Sequence, residues 1–209
     1  MAGNRPLNIF EKTNDRATAL FDYAEAHARL PIADDLVRSG VVISVAGFDR
    51  YFTAKFCDVL VPYLKASTRV SEDILERLEE AGLSTEFALE LLVSDRPFRK
   101  IRTIVQNSLS KHTTHRTDVI DKLFLGLALK DLCPNAQRRV GRRNMLRRIE
   151  LIVDVRNDIA HSGPVNTRGN PKAIDVEEIR RKTLDMAIFI RACDSIIDNK
   201  FGVKPVVSA

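Results

Sequence analysis

The residues best suited to chemistry are an arginine and a histidine on one predicted helix, inside the run Arg156-Asn157-Asp158-Ile159-Ala160-His161. An imidazole exchanges protons near neutral pH, as cleavage of RNA by its own 2′-hydroxyl requires. A guanidinium keeps its charge and presents a rigid fork of donors to a phosphate or carboxylate. On a wheel of about 100° per residue, Met145, Ile149, Ile152, Val153 and Ala160 fall on one side, and Arg156 falls within the same stripe. A guanidinium aimed at a core is costly unless it is paired or opens onto a shared cavity. Asp49 shows the complementary oddity, lying between Val45, Phe48, Phe52 and Phe56 on its own wheel. The two misplaced charges predict a partly buried ion pair. A packing pair without chemistry, or outward snorkelling of either side chain, are the competing readings.

His161 stands about 140° around the helix from Arg156. It shares a flank with Arg139, Arg143 and Arg147, and also with Glu150 and Asp154. These arginines belong to a dense run, Arg138, Arg139, Arg142, Arg143, Arg147 and Arg148. Such a run is either a solvated helix face or a strip that gives salt-sensitive, sequence-independent contacts to phosphates. The second reading makes Arg139, Arg142, Arg143 and Arg147 RNA-binding candidates. No platform of exposed aromatics is evident for stacking bases, and no helix-turn-helix emerges to favour DNA.

Other chemistries find less support. Lys111-His112-Thr113-Thr114-His115-Arg116 offers two histidines without a second ligand pair, so a solvated polar connection is favoured over a metal site, and contact with RNA over contact with zinc. No metal and no cofactor is expected. The glycines form no phosphate-cradling loop or dinucleotide fingerprint. Ser162 beside His161 lacks the strand-turn-helix elbow of a hydrolase nucleophile.

The elements that must position these residues are helical throughout, and the fold class expected is all-α. Residues 1–15 read as a flexible arm, followed by a polar-faced helix from Arg16 to Leu30 that Pro31 stops. Val41, Val45, Phe48, Phe52, Phe56, Val59 and Tyr63 recur at spacings of three and four, which predicts a long helix over Ala33 to Lys65. Gly40 and Gly47 weaken this helix but permit a neighbour's close approach. Short helices are predicted from Ser71 to a cap at Gly82, over Phe87 to Val93, and behind Pro97. Asp118 to Leu132 reads as one helix ended near Cys133-Pro134. Met145 to Ala160 follows, then a polar loop over 164–173. Asp175 caps the last helix, with Glu178 completing a capping box. Residues 16–198 form the expected domain and 199–209 a short tail.

A chain of 209 residues with 44% hydrophobic content has the makings of one compact domain with a substantial core. The formal net charge of +5 is compatible with a polyanionic partner. Cys57, Cys133 and Cys193 are odd in number, far apart and set among apolar residues, as reduced thiols would be. The N-terminus shows no apolar stretch of signal-peptide length, and no apolar run is long enough for a membrane span. A cytoplasmic protein is the expectation.

The run from Arg156 to His161, at the end of an apolar helix and followed by Ser162 and Gly163, resembles the motif of the HEPN superfamily: arginine, an adjacent polar residue, then histidine after a gap. Val45-Ala46-Gly47-Phe48-Asp49-Arg50-Tyr51-Phe52 resembles that family's earlier helix, where an acidic residue sits in an apolar setting. The nearest branch is the RiboL-PSP-HEPN type, and the helical likeness runs from roughly residue 16 to 198. The resemblance implies a helical bundle with additional short helices that dimerises so that two motifs face each other. It implies a metal-independent endoribonuclease, often a toxin with a cognate antitoxin or an antiviral-defence effector, or else a noncatalytic binding or regulatory module. Under it Arg156 binds the scissile phosphate and His161 transfers a proton or orients the 2′-hydroxyl. Asn157 fixes the histidine or phosphate, and Asp49 holds Arg156.

Overall fold

The computed structural model describes residues 5–111, 114–163, 165, 168–169 and 172–202. His112, half of the 164–173 loop and the end of the tail lie outside these residues. The described residues form helices without a β-strand. In chain order they are α1 (Arg5–Ala26), α2 (Ala33–Ala66), α3 (Glu72–Glu80), α4 (Thr85–Leu92), α5 (Pro97–Leu109), α6 (Thr117–Leu125), α7 (Leu132–Val140), α8 (Met145–Ser162) and α9 (Val176–Phe201). The all-α expectation stands.

The long helix α2 is the axis of the fold and packs against α1, α5, α8 and α9. Its stripe of Val41, Val45, Phe48, Phe52, Phe56 and Val59 is buried throughout. Phe48 and Phe52 meet Phe189 of α9, and Phe52 and Phe56 meet Phe124 of α6 edge-on. The two glycines of α2 admit α1. A Cβ at Gly40 would strike the Phe21 ring, and one at Gly47 would sit 3.0 Å from the Thr13 methyl.

Helix α1 begins at Arg5, so the arm expected over 1–15 is helical from that point. The reason is its apolar face, in which Pro6 and Phe10 are buried in line with Ala17, Phe21 and Ala24. The helix expected over Asp118 to Leu132 is likewise two helices. α6 ends at Leu125, and Ala128 and Asp131 then adopt left-handed backbone with φ of 59° and 52°. Ser71 Oγ donates to the Gly126 carbonyl at 2.6 Å, and the Asp121 carboxylate accepts from the Cys133 N–H at 2.8 Å, fixing the turn. Pro134 opens α7 instead of ending α6, because the missing N–H of a first-turn residue has no intrahelical partner in any case. Asp175 caps α9 by accepting from the Glu178 N–H at 3.0 Å. Glu178 turns its carboxylate to Lys182, 2.7 Å away, so the expected capping box is only half made.

A charged cluster ties α2 to α9 inside the core. Lys55 Nζ lies 2.6 Å from both Asp194 Oδ1 and Asp198 Oδ1, and the Tyr51 hydroxyl donates to Asp194 Oδ1 at 2.7 Å. Burial and the facing Asp194 carboxylate hold Tyr51 in its neutral form. The cysteines are buried and free, and desolvation pushes the Cys57 thiol up to about 12. No helix among the described residues is long and apolar enough to cross a membrane.

Candidate functional site: an arginine-lined cleft

Met145, Ile149, Ile152 and Val153 of α8 are fully buried, and they set which way Arg156 points. Ala160, placed on the same stripe by the wheel, is exposed where the helix runs past the core. The Arg156 side chain opens into a cleft of about 670 Å³ bounded by α1, α2, α5 and the segment before α6. Arg156 is half-buried, and its Nε is buried without a hydrogen-bond partner. Its Nη1 donates to the Asn157 side-chain oxygen at 3.1 Å. Asn157 therefore touches the arginine directly.

Asp49 lines the same cleft but does not hold Arg156 in an ion pair. Its carboxylate accepts from the Thr114 backbone N–H and, at 2.5 Å, from the Thr114 hydroxyl. That hydroxyl also lies 3.2 Å from the Thr53 hydroxyl. Asp49 thus anchors the approach to α6, and the expected pair is replaced by a bond to a neighbouring backbone donor. The guanidinium keeps donors free in a partly desolvated place.

The anchored segment presents His115, which is buried and lines the cleft with Arg156 and Asp49. Burial lowers its pKa below the usual 6.5, and the charges of Arg156 and Arg116 push the same way against Asp49. The imidazole is neutral at neutral pH and able to accept a proton.

His161 is exposed in the last turn of α8 and is not among the cleft-lining residues of its own chain. The arginine strip is also elsewhere, around the junction of α7 and α8. Arg142 Nη1 pairs with the buried Asp185 of α9 at 2.6 Å, and Arg148 Nε binds the other oxygen of that carboxylate. Arg139, Arg143 and Arg147 remain exposed. Asp154 and Glu150, which share the strip's flank, engage Arg116 at 3.0 Å and the Thr117 hydroxyl at 2.6 Å.

What sequence reasoning missed is the rest of the cleft. Arg5, Arg50, Arg99 and Arg102 line it with Arg156. Arg50 adjoins Asp49, and Arg99 and Arg102 are spaced to share a face of α5, so a signal existed. Arg5 was hidden in the supposed arm. Among the described residues no group of three or more His, Cys, Asp or Glu is placed to hold a metal ion.

Fold and site together define an all-α protein with an arginine-lined cleft. No protein-family model, no curated protein and no solved structure matches the chain.

Proposed function

We propose that this protein is a HEPN-type endoribonuclease that cleaves RNA phosphodiesters without a metal, in a site completed by a second copy of the chain. The observation that carries the reading is Arg156: a half-buried guanidinium with no carboxylate partner among the described residues, opening into a cationic cleft. A phosphate supplies the negative charge that such a group lacks.

In the proposed reaction the 2′-hydroxyl attacks phosphorus and the bond to the 5′-oxygen breaks. The products are a 2′,3′-cyclic phosphate and a 5′-hydroxyl. Arg156 stabilises the charge that builds on the phosphorane, the contribution that lets cationic side chains stand in for a metal. His161 takes or delivers a proton, and its exposure leaves it free to face a second subunit. Two copies bring two such histidines, one for each proton. Asn157 orients Arg156 through the bond described above. A role as a toxin with a cognate antitoxin, or in antiviral defence, belongs to this same reading.

The test is incubation of a mixed RNA panel with chelator, using wild type and a folded, dimeric His161→Ala variant. Cleavage by wild type alone supports the reading. Equal cleavage by both rejects His161, and the absence of cleavage by either favours a noncatalytic RNA-binding or regulatory module.

A further inference from the structure

The cleft carries more positive charge than one scissile phosphate needs, and its use follows from where the charges lie, given the reading that RNA is the substrate. Arg5 of α1, Arg50 of α2 and Arg99 of α5 are exposed along it, and none forms an ion pair with a described residue. The acidic groups lining the cleft are already satisfied. Asp58 is bound by Arg102, and Asp49 is held by Thr114. Asp49 is then the one lining carboxylate not paired by a cation, set against Arg5, Arg50, Arg99 and Arg156, so the cleft keeps a surplus of positive charge.

The shape of that space narrows the ligand. A volume of about 670 Å³ falls among sites that enclose small ligands or short segments of chain, roughly 300–1,000 Å³. A space of that size takes a short stretch of single strand more readily than the body of a duplex. Among the described residues the lining contains no Phe, Tyr or Trp, and its one ring, His115, is buried, so no row of exposed aromatics is offered to bases. Contacts fall on phosphates, which position a strand without reading its sequence.

We propose that this cleft is a track for the sugar-phosphate backbone of a single RNA strand, in which Arg5, Arg50 and Arg99 hold phosphates next to the one taken by Arg156. A free mononucleotide shares the phosphate chemistry, and the experiment separates it from a strand. The arginines at the α7–α8 junction form the rival surface.

The experiment measures fluorescence anisotropy of a labelled single-stranded 2′-O-methyl oligonucleotide, whose blocked hydroxyl prevents cleavage. It is titrated with wild type, with Arg50→Ala/Arg99→Ala, and with Arg139→Ala/Arg143→Ala/Arg147→Ala, across a range of salt. Each lost single-strand phosphate contact removes about 0.7 from the slope of log affinity against log salt. The cleft variant is expected to lose about 1.4 in slope, and to bind on the order of 10-fold or more weaker at 0.1 M salt. Its loss should exceed that of the junction variant, and an unlabelled mononucleotide should compete poorly.

Wild type that does not bind, a larger loss in the junction variant, or a mononucleotide that competes as well as the strand would each overturn the track. The cleavage reading fails separately. Binding through the cleft without cleavage keeps the track and rejects the nuclease. Metal-free cleavage by wild type with undiminished binding by the cleft variant does the reverse.

Discussion

Arg156 and Asp49 face one cleft from two helices, and their relationship decides what each is for. An ion pair would make Arg156 a packing residue, whereas the bonds from Thr114 make Asp49 the anchor and leave Arg156 available. A double-mutant cycle in urea distinguishes the two. Asp49→Ala is expected to cost about 1–3 kcal/mol, because it strands the Thr114 donors. Combined with Arg156→Ala, the effects should add to within about 0.5 kcal/mol. A coupling well above that value would restore the ion pair. The sequence showed that each charge was out of place on an apolar stripe. It did not show the partner, because Thr114 arrives from a segment whose position depends on the fold of α5 and α6. His115 was visible only as one of two histidines in a polar connection, and its burial beside Arg156 is a tertiary fact.

At the scale of elements, α2 was the most legible part of the chain, since its aromatic stripe and its two glycines state both what it buries and where a neighbour comes close. Gly40→Ala tests that approach. Alanine favours a helix interior by about 1 kcal/mol, but overpacking against a fixed ring costs about 1–3 kcal/mol. The Phe21 ring is buried and has little room to move, so net destabilisation is expected in thermal melts. Unchanged or raised stability would show that α1 yields. The break between α6 and α7 was not legible, because two left-handed residues that are not glycine carry it. Both lie between the Gly126 carbonyl held by Ser71 and the Cys133 N–H held by Asp121.

The cluster joining α2 to α9 makes two further predictions. Lys55→Met strands two buried carboxylates and should destabilise the protein by about 3–5 kcal/mol, although methionine packs well. A loss below about 1 kcal/mol in urea would show that the lysine neutralises neither. Asp198 has its pKa raised by burial and, more weakly, by Asp194, against the opposing pull of Lys55. A raised folded pKa favours the protonated form, so this group's contribution to stability is full below about pH 3.9 and is lost as pH rises through the folded pKa. The destabilisation caused by Asp198→Asn should therefore shrink as pH rises through that window. A penalty that grows with pH would contradict the burial described for Asp198.

For the whole molecule, the fold separates three groups of residues that the sequence ran together. The cleft gathers Arg156, His115 and four more arginines, the junction strip leans on Asp185, and His161 sits exposed at the end of α8. A run of arginines in sequence suggested one phosphate-binding strip, but the cleft's arginines are distributed over α1, α2, α5 and α8. No local pattern joins Arg5 to Arg156. The exposure of His161 outside its own chain's cleft is what makes a second copy necessary to the cleavage account. The most direct measurement of that account is the chemistry of the RNA ends left by purified protein in the presence of chelator. The account predicts 5′-hydroxyl and 2′,3′-cyclic phosphate ends that disappear with Arg156→Ala in a folded protein. Products ending in 5′-phosphate and 3′-hydroxyl, or no cleavage at all, would contradict it.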